Sequence, residues 1–245
     1  MKVNIKRDGL NLVGELFAPD KETYDLVIIC HGFTGHRNED HISLLTKCLL
    51  EKGIASLRFD FNGHGESEGD FHDMNLFNEI CDVQKVLEYV QSLPQVQNIS
   101  IAGHSQGGVV ASMIAGYYPE VFKKVALLAP AATLKDDAQK GECMGTVYDP
   151  KCAPDTLALM GGEHKLGGFY FRIAQSLPIY EIAAQYEKEV CLIHGLADTI
   201  VDKVASQRYH QHYKNSQLYL LEGADHGFSN DQQKAIDIAV EYLAG

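Results

Sequence analysis

A serine set among glycines, Ser105, is the residue of this sequence best suited to nucleophilic chemistry. It stands at the centre of Gly103-His104-Ser105-Gln106-Gly107, which fits the G-x-S-x-G pattern of a nucleophile elbow. The apolar run at 99–102 predicts a short strand before this pattern, and the apolar residues after it recur at helical spacing. We therefore predict a sharp strand-to-helix turn. Such a turn places the serine hydroxyl at a helix N-terminus, where developing negative charge is favoured.

A serine hydroxyl is a poor nucleophile near neutral pH, so it needs a base, and the base needs an orienting acid. In chains with this type of turn, the partners follow in the order Ser, acid, His, each in a loop after a late strand. Asp198 lies just past the apolar run 190–194, and His226 lies in the loop after 217–221. We predict that Asp198 and His226 complete a catalytic triad with Ser105.

Other acids and histidines compete for these roles. Asp202 lies a full turn farther along the chain and is expected to cap the helix that begins near Lys203. Asp225 is adjacent to His226 in sequence and is therefore badly placed to reach its ring. His210 and His212 are expected on a surface helix, His164 lies in the predicted lid, and no strand precedes His72. His194 is expected to hydrogen-bond locally, and the elbow geometry is expected to point the His104 side chain away from the serine hydroxyl.

Two backbone N–H groups are predicted to bind the oxyanion that forms when the serine attacks. One belongs to Gln106, directly after the nucleophile, and the other belongs to Phe33. Phe33 lies in the loop His31-Gly32-Phe33-Thr34-Gly35, which follows the apolar run Leu26–Cys30. The plain alternative for this loop is a glycine turn without a catalytic role.

The elements that must position these groups alternate between strands and helices. Val3–Lys6 and Leu10–Phe17 alternate in polarity and are joined at Asp8-Gly9, which indicates an antiparallel hairpin. The continuous apolar run Leu26–Cys30 is typical of a strand buried on both faces of a parallel sheet. We predict one α/β domain over residues 1–245, with a mostly parallel, doubly wound sheet opened by the N-terminal hairpin.

The alternation breaks between Pro130 and Pro178. This stretch is rich in Gly, Asp and Lys, has weak periodicity, and is too long for an ordinary connection. Apolar and aromatic residues return at Leu166–Leu177, so we predict an inserted lid over residues 131–178 rather than a disordered loop.

Composition and charge limit the kinds of molecule that this protein is expected to bind. The formal net charge is −12 and no cluster of Lys and Arg stands out, so we expect neither nucleic acid nor a membrane surface as a partner. No apolar run approaches the length of a membrane span, and the basic residues within Met1–Asp8 precede no apolar stretch. The six cysteines contain no C-x-x-C and are expected to be free thiols of a cytoplasmic protein.

Metal chemistry has little support in the sequence. His31, His36 and His41 are evenly spaced, but they fall in a predicted loop, where no helix or strand is expected to bring their side chains together. Structural zinc usually recruits cysteines at short spacing, and none lies there. We predict neither a metal nor a cofactor. The oligomeric state stays open, with a homodimer as one option.

Taken together, the motifs resemble those of the α/β-hydrolase superfamily of serine esterases, and more narrowly the bacterial cinnamoyl (feruloyl) esterases with an inserted lid. The resemblance covers nearly the whole chain. Its general marks are His31–Gly35, Asp60-Phe61-Asn62-Gly63-His64-Gly65-Glu66-Ser67, Gly103–Gly107, Asp198 and Gly223-Ala224-Asp225-His226. Its more specific marks are Leu128-Ala129-Pro130-Ala131-Ala132-Thr133-Leu134-Lys135 and Gly167-Gly168-Phe169-Tyr170-Phe171-Arg172-Ile173-Ala174-Gln175.

The resemblance implies an α/β-hydrolase fold and hydrolysis of a small aromatic ester, with a feruloyl, caffeoyl or coumaroyl group, through an acyl-enzyme. It also implies that an aspartate, a glutamine and a tyrosine of the lid contact the phenolic hydroxyl. Asp137 and Tyr170 match the aspartate and the tyrosine, whereas Met144 stands at the glutamine position. Without the resemblance, Asp137 would be a solvated loop acid and Tyr170 a packing aromatic.

Other activities on the same scaffold stay open at this point. They are a short-chain or monoacylglycerol esterase, a serine peptidase or acyltransferase, and a catalytically silent protein that binds a small ligand. The complete set of predicted triad residues disfavours the silent protein.

Overall fold

The computed structural model describes residues 1–245 as strands and helices that alternate along the chain. In chain order the strands are β1 (Lys2–Arg7), β2 (Leu10–Phe17), β3 (Tyr24–Cys30), β4 (Ala55–Phe59), β5 (Val96–His104), β6 (Phe122–Leu128), β7 (Glu142–Cys143), β8 (Thr146–Val147), β9 (Thr156–Leu159), β10 (His164–Gly167), β11 (Val190–Gly195) and β12 (Ser216–Leu221). The helices are α1 (Asp40–Glu51), α2 (Leu76–Gln91), α3 (Gln106–Tyr117), α4 (Leu134–Lys140), α5 (Gly168–Ser176), α6 (Ile179–Ala183), α7 (Val204–His212) and α8 (Gln232–Ala244).

Eight of the strands form one sheet in the order β1-β2-β4-β3-β5-β6-β11-β12. β2 pairs antiparallel with β1 and with β4, and all the other neighbouring pairs are parallel. The predicted fold class, a mostly parallel sheet opened by an antiparallel hairpin, is confirmed.

Helices cover both faces of this sheet, and β3 shows why. Leu26 and Ile28 of β3 share one buried core with residues of α2 and α3. Val27 and Ile29 point to the other face and share a second core with residues of α1 and α8. Because each fully buried Leu or Ile contributes roughly 1.5–3 kcal/mol, a strand apolar on both faces stabilises a sheet only between two helical layers. The continuous apolar run of β3 therefore explains why this strand lies in the interior of the sheet.

The strand order reverses at β3, which lies between β4 and β5. The chain leaves β3 for its β4 side and then crosses to its β5 side. In open α/β sheets, ligands bind outside the carboxyl ends of the strands at such a point. The loop after β3, residues 31–35, and the turn after β5, which holds Ser105, meet at this place.

The segment between β6 and α6 has structure of its own. It contains α4, the two-stranded ribbons β7-β8 and β9-β10, and α5. The apolar content of Leu166–Leu177 is explained by α5, which buries Tyr170, Phe171 and Ala174 against the larger core. The boundaries 131–178 and the role of this segment as a lid stay predictions. No helix in the protein has both the length and the apolar character needed to cross a membrane.

Candidate active site

Ser105 occupies the turn between β5 and α3, where the sequence predicts it. Its backbone has φ 55° and ψ −125°, a conformation that residues with a side chain rarely adopt. The turn is held on both sides: the Ser105 N–H donates to the Leu128 carbonyl at 3.0 Å, and the Ser105 carbonyl accepts from the Ala131 N–H at 3.0 Å. β6 and the start of the inserted segment therefore keep the strained turn in place.

The glycines on either side of the serine are required by close backbone approach. A Cβ added at Gly103 would overlap the carbonyl of Gly107. A Cβ added at Gly107 would overlap the carbonyl of His31, at the end of the neighbouring β3. The pattern G-x-S-x-G thus permits both the turn and its contact with the 31–35 loop.

The structure brings the three predicted triad side chains together at the carboxyl edge of the sheet. His226 Nε2 lies 2.9 Å from Ser105 Oγ, and His226 Nδ1 lies 2.7 Å from Asp198 Oδ2. Since a carboxylate only accepts, Nδ1 carries the proton that it donates to Asp198, and Nε2 is free to accept from the serine hydroxyl. This is the arrangement in which an imidazole can act as a general base toward serine.

Asp198 is fully buried and is surrounded by donors. Its Oδ1 accepts from the N–H groups of Ile200 and Val201 at 2.8 and 2.9 Å. His194 Nε2 lies 3.3 Å from its Oδ2, in addition to the contact from His226. Burial alone would raise the pKa of Asp198, but the hydrogen bonds from His194, His226 and Val201 outweigh it and hold the pKa well below its usual value. Asp198 therefore carries a negative charge behind His226.

The two N–H groups predicted for the oxyanion flank the serine. The 31–35 loop passes so close that a Cβ added at Gly32 would lie 3.5 Å from Ser105 Oγ. The Phe33 N–H makes no hydrogen bond to another group of the protein. Gln106 is the first residue of α3, so its N–H has no partner within the helix. Both groups are available to an oxygen bound in front of Ser105.

A pocket of about 550 Å³ opens beside Ser105. Ten of its fifteen lining residues are hydrophobic, among them Leu134, Phe171 and Val201. An apolar wall with a few polar groups is typical of a small-molecule site. The pocket reaches Ser105 and Gln106, so it can hold one side of a molecule whose reacting carbon lies at the serine hydroxyl.

The residues singled out for ring recognition line the same pocket. Asp137, Met144 and Tyr170 all contribute to its wall. Burial raises the pKa of Asp137, with Lys140 opposing this shift. The Tyr170 hydroxyl donates to the side-chain Oε1 of Gln106 at 2.7 Å. The hydrogen-bond partner of Tyr170 is thus a residue of the elbow.

Comparison with known proteins places this site in a family. Residues 21–163, more than half of the chain, match the family described as serine aminopeptidase, S33. The chain belongs to this family of α/β hydrolases. The superfamily predicted from the sequence is therefore confirmed.

Solved structures support the same assignment. This α/β hydrolase is 35% identical to Est1E from Butyrivibrio proteoclasticus, solved with ferulic acid bound, over 99% of this chain and 100% of that chain, with a TM-score of 0.93. A second structure of Est1E gives 33% identity and a TM-score of 0.89. These matches confirm the similarity to a feruloyl esterase-like structure that the motifs of the inserted segment indicate.

Curated relatives match a smaller part of the chain. The monoglyceride lipase of Mus musculus is 30% identical over 56% of this chain and 47% of its own length. The monoacylglycerol lipase of Mycolicibacterium smegmatis is 23% identical over 52% of this chain and 45% of its own length. The chain spans about a third to a half of the length of such relatives.

Two histidines beside the triad escaped the sequence argument. His104 donates from Nε2 to the backbone carbonyl of His226 at 2.8 Å and so fixes the histidine loop. His194 was expected only in local hydrogen bonds, yet its Nε2 also approaches Asp198. No pattern marks His104, because its contact joins β5 to a loop 122 residues later.

Proposed function

We propose that this α/β hydrolase is a serine carboxylesterase that hydrolyses esters of hydroxycinnamic acids through an acyl-enzyme. Feruloyl, caffeoyl and coumaroyl esters are the expected substrates. The observation that carries the proposal is the similarity, over 99% of the chain, to a protein solved with ferulic acid bound. The apolar pocket beside Ser105, with Asp137 and Tyr170 in its wall, supports it.

Acylation begins at the 2.9 Å contact between Ser105 Oγ and His226 Nε2. The serine oxygen attacks the ester carbonyl while His226 takes its proton. The Phe33 and Gln106 N–H groups stabilise the oxyanion of the tetrahedral intermediate. The carboxylate of Asp198 stabilises the imidazolium that forms, and it keeps the ring in the tautomer that the step requires.

Collapse of the intermediate breaks the bond to the alcohol. His226 returns the proton to the departing alkoxide, and the acyl group stays on Ser105 as an ester. A water molecule then gives its proton to His226 and attacks the same carbonyl. The hydroxycinnamic acid leaves, and the proton returns to Ser105. No metal, redox group or cofactor takes part in these steps.

Steady-state hydrolysis of methyl ferulate and methyl butyrate, which release the same alcohol, tests the proposal. We expect a higher kcat/KM for methyl ferulate and loss of turnover to background in Ser105→Ala. The matched control is Ser92→Ala, at the exposed end of α2, which should retain wild-type rates. A fluorophosphonate probe should label the wild type and the control, but not Ser105→Ala. Turnover that survives in Ser105→Ala would refute the mechanism, and a strong preference for the aliphatic ester would refute the substrate class.

A monoacylglycerol esterase is the second candidate. The similarity to two monoacylglycerol lipases favours it, as does the apolar lining of the pocket. Comparing kcat/KM for 1-monooleoylglycerol and methyl ferulate separates the two. The same triad mutant controls both measurements.

A further inference from the structure

The carboxyl group of Glu79 lies fully buried beside the elbow and takes no part in the triad. Glu79 belongs to α2, and both of its oxygens accept from Nε2 of the Gln106 side chain, at 3.0 and 2.9 Å. No Lys or Arg forms a salt bridge with it, and burial raises its pKa well above the usual value. A buried carboxyl without a cation is costly to the folded state. A neutral apolar side chain would serve simple packing better.

The other end of the Gln106 amide is also held. Its Oε1 accepts from the Tyr170 hydroxyl at 2.7 Å, and Tyr170 is 5% exposed. The Tyr170 ring lies 5.8 Å from the ring of Phe33, measured between centroids. Tyr170 therefore contacts both residues whose N–H groups face the oxyanion.

The carboxyl determines which way the amide points. Whether ionised or protonated, a carboxyl keeps at least one oxygen able to accept, so Glu79 can hold the Nε2 end of Gln106 in either state. The Oε1 end must then face Tyr170, whose hydroxyl is a donor. A continuous path of hydrogen bonds thus runs from α2, through the first residue of α3, to α5 in the inserted segment.

We propose that Glu79 is a positioning residue for recognition of the acyl group. It holds the Gln106 amide and, through that amide, keeps the Tyr170 side chain in place in the pocket wall. The inference rests on the proposed function, because it assigns the aromatic acyl group to that pocket. Glu79 touches neither the ester nor the reacting atoms.

The position of Glu79 predicts an effect on KM more than on kcat. The backbone N–H of Gln106 is oriented by α3, the backbone of Ser105 is held by Leu128 and Ala131, and Asp198 and His226 come from other loops. Loss of the Glu79 acceptors therefore releases Tyr170 and the pocket wall while the reacting atoms stay in place. A bulky aromatic acyl group would contact that wall, whereas an acetyl group is too short to reach most of its lining residues.

The test compares four variants of the full chain with the wild type on methyl ferulate and p-nitrophenyl acetate. Glu79→Met removes both acceptors at similar volume, Glu79→Gln keeps one acceptor, and Tyr170→Phe breaks the path at its other end. The double variant Glu79→Met/Tyr170→Phe measures whether the two residues act together. Glu88→Met, at an exposed acid of the same helix, is the matched control.

We expect Glu79→Met and Tyr170→Phe each to raise KM for methyl ferulate about tenfold, with kcat within about threefold, as for a buried amide left without its partner. The KM of the double variant for methyl ferulate should exceed that of the more impaired single variant by no more than about twofold. The KM of Glu79→Gln should lie close to that of the wild type. The loss on methyl ferulate should exceed that on p-nitrophenyl acetate at least about fivefold. Thermal unfolding checks that each variant folds; where Glu79→Met does not fold, Glu79→Ala, which also removes both acceptors, is measured in its place with the same expected result.

A wild-type KM in Glu79→Met, independent losses in the double variant, or equal losses on both esters would overturn the positioning role while leaving the proposed function intact. A wild-type protein that cleaves p-nitrophenyl acetate but not methyl ferulate refutes the proposed function, and the positioning role with it.

Discussion

Replacing Asp198 with asparagine isolates the contribution of one buried negative charge to catalysis. The substitution preserves the shape of the side chain and the acceptor for the Ile200 and Val201 N–H groups, at 2.8 and 2.9 Å. It removes the charge that lies 2.7 Å from His226 Nδ1. It also lets an amide N–H face the ring, which favours the tautomer with the proton on Nε2. That tautomer cannot accept from Ser105.

The geometry sets the size of the expected loss. The charge centres of a carboxylate and an imidazolium in such contact lie about 4 Å apart, which corresponds to about 4 kcal/mol at an effective dielectric constant of about 20. This energy acts in the transition state, where the imidazolium exists, and not in the resting enzyme. At about 1.4 kcal/mol per decade it predicts a fall in kcat of about 10³-fold, and the tautomer change adds to it.

Steady-state kinetics on methyl ferulate, together with the rate of fluorophosphonate labelling of Ser105, measure this effect. The matched control is Asp202→Asn, four residues later, where the exposed Oδ1 accepts from the Val204 N–H at 2.8 Å. The control should lose about 0.5–1 kcal/mol of stability at most and keep its kcat within about twofold. A kcat for Asp198→Asn within tenfold of the wild type, in a folded protein, would refute the reasoning.

Three further predictions follow from the same structure. Gly107→Ala should fail to fold or lose at least about 3 kcal/mol in urea unfolding, because its Cβ overlaps the His31 carbonyl; near-native stability would contradict the elbow packing. Met144→Gln should improve kcat/KM for methyl ferulate over methyl cinnamate by about 2–10-fold, by adding a polar partner for the phenol; an unchanged ratio would show that Met144 does not meet the ring hydroxyl. Because the folded-state pKa of Asp198 lies below its usual 3.8, its stabilising effect is present above that pH and is lost as the pH falls further. The drop in stability from pH 5 to pH 3, followed by urea unfolding, should therefore be smaller in Asp198→Asn than in the wild type, and an equal drop would contradict the sign of that pKa shift.

Local sequence patterns were enough to predict the strands and turns that position the site. β3 is apolar at successive positions, and only a strand between two helical layers can bury both faces, so its central place was predictable. The elbow was predictable because Gly103 and Gly107 stand where a Cβ would overlap backbone. The order of Ser105, the acid and the histidine followed from the rule that catalytic loops leave the carboxyl ends of strands.

The other contacts around the site depend on packing between residues far apart in the chain. Glu79 stands among the apolar residues of α2, and its contacts with Gln106 and, through it, Tyr170 join residues 27 and 91 positions away along the chain. His104 reaches the histidine loop across 122 residues. The inserted segment has weak periodicity because each of its short elements contributes only a few apolar side chains to a core shared with the rest of the protein.

Short-range spacing was therefore sufficient to predict the type of sheet, the nucleophile turn and the residues that could form a triad, because each of these depends on residues close together in the chain. The hydrogen-bond partners of Asp198, His226 and Gln106, and the lining of the pocket beside Ser105, became known from the folded structure alone. Those contacts join segments far apart in the chain, and their distances follow from how the helices pack on the sheet.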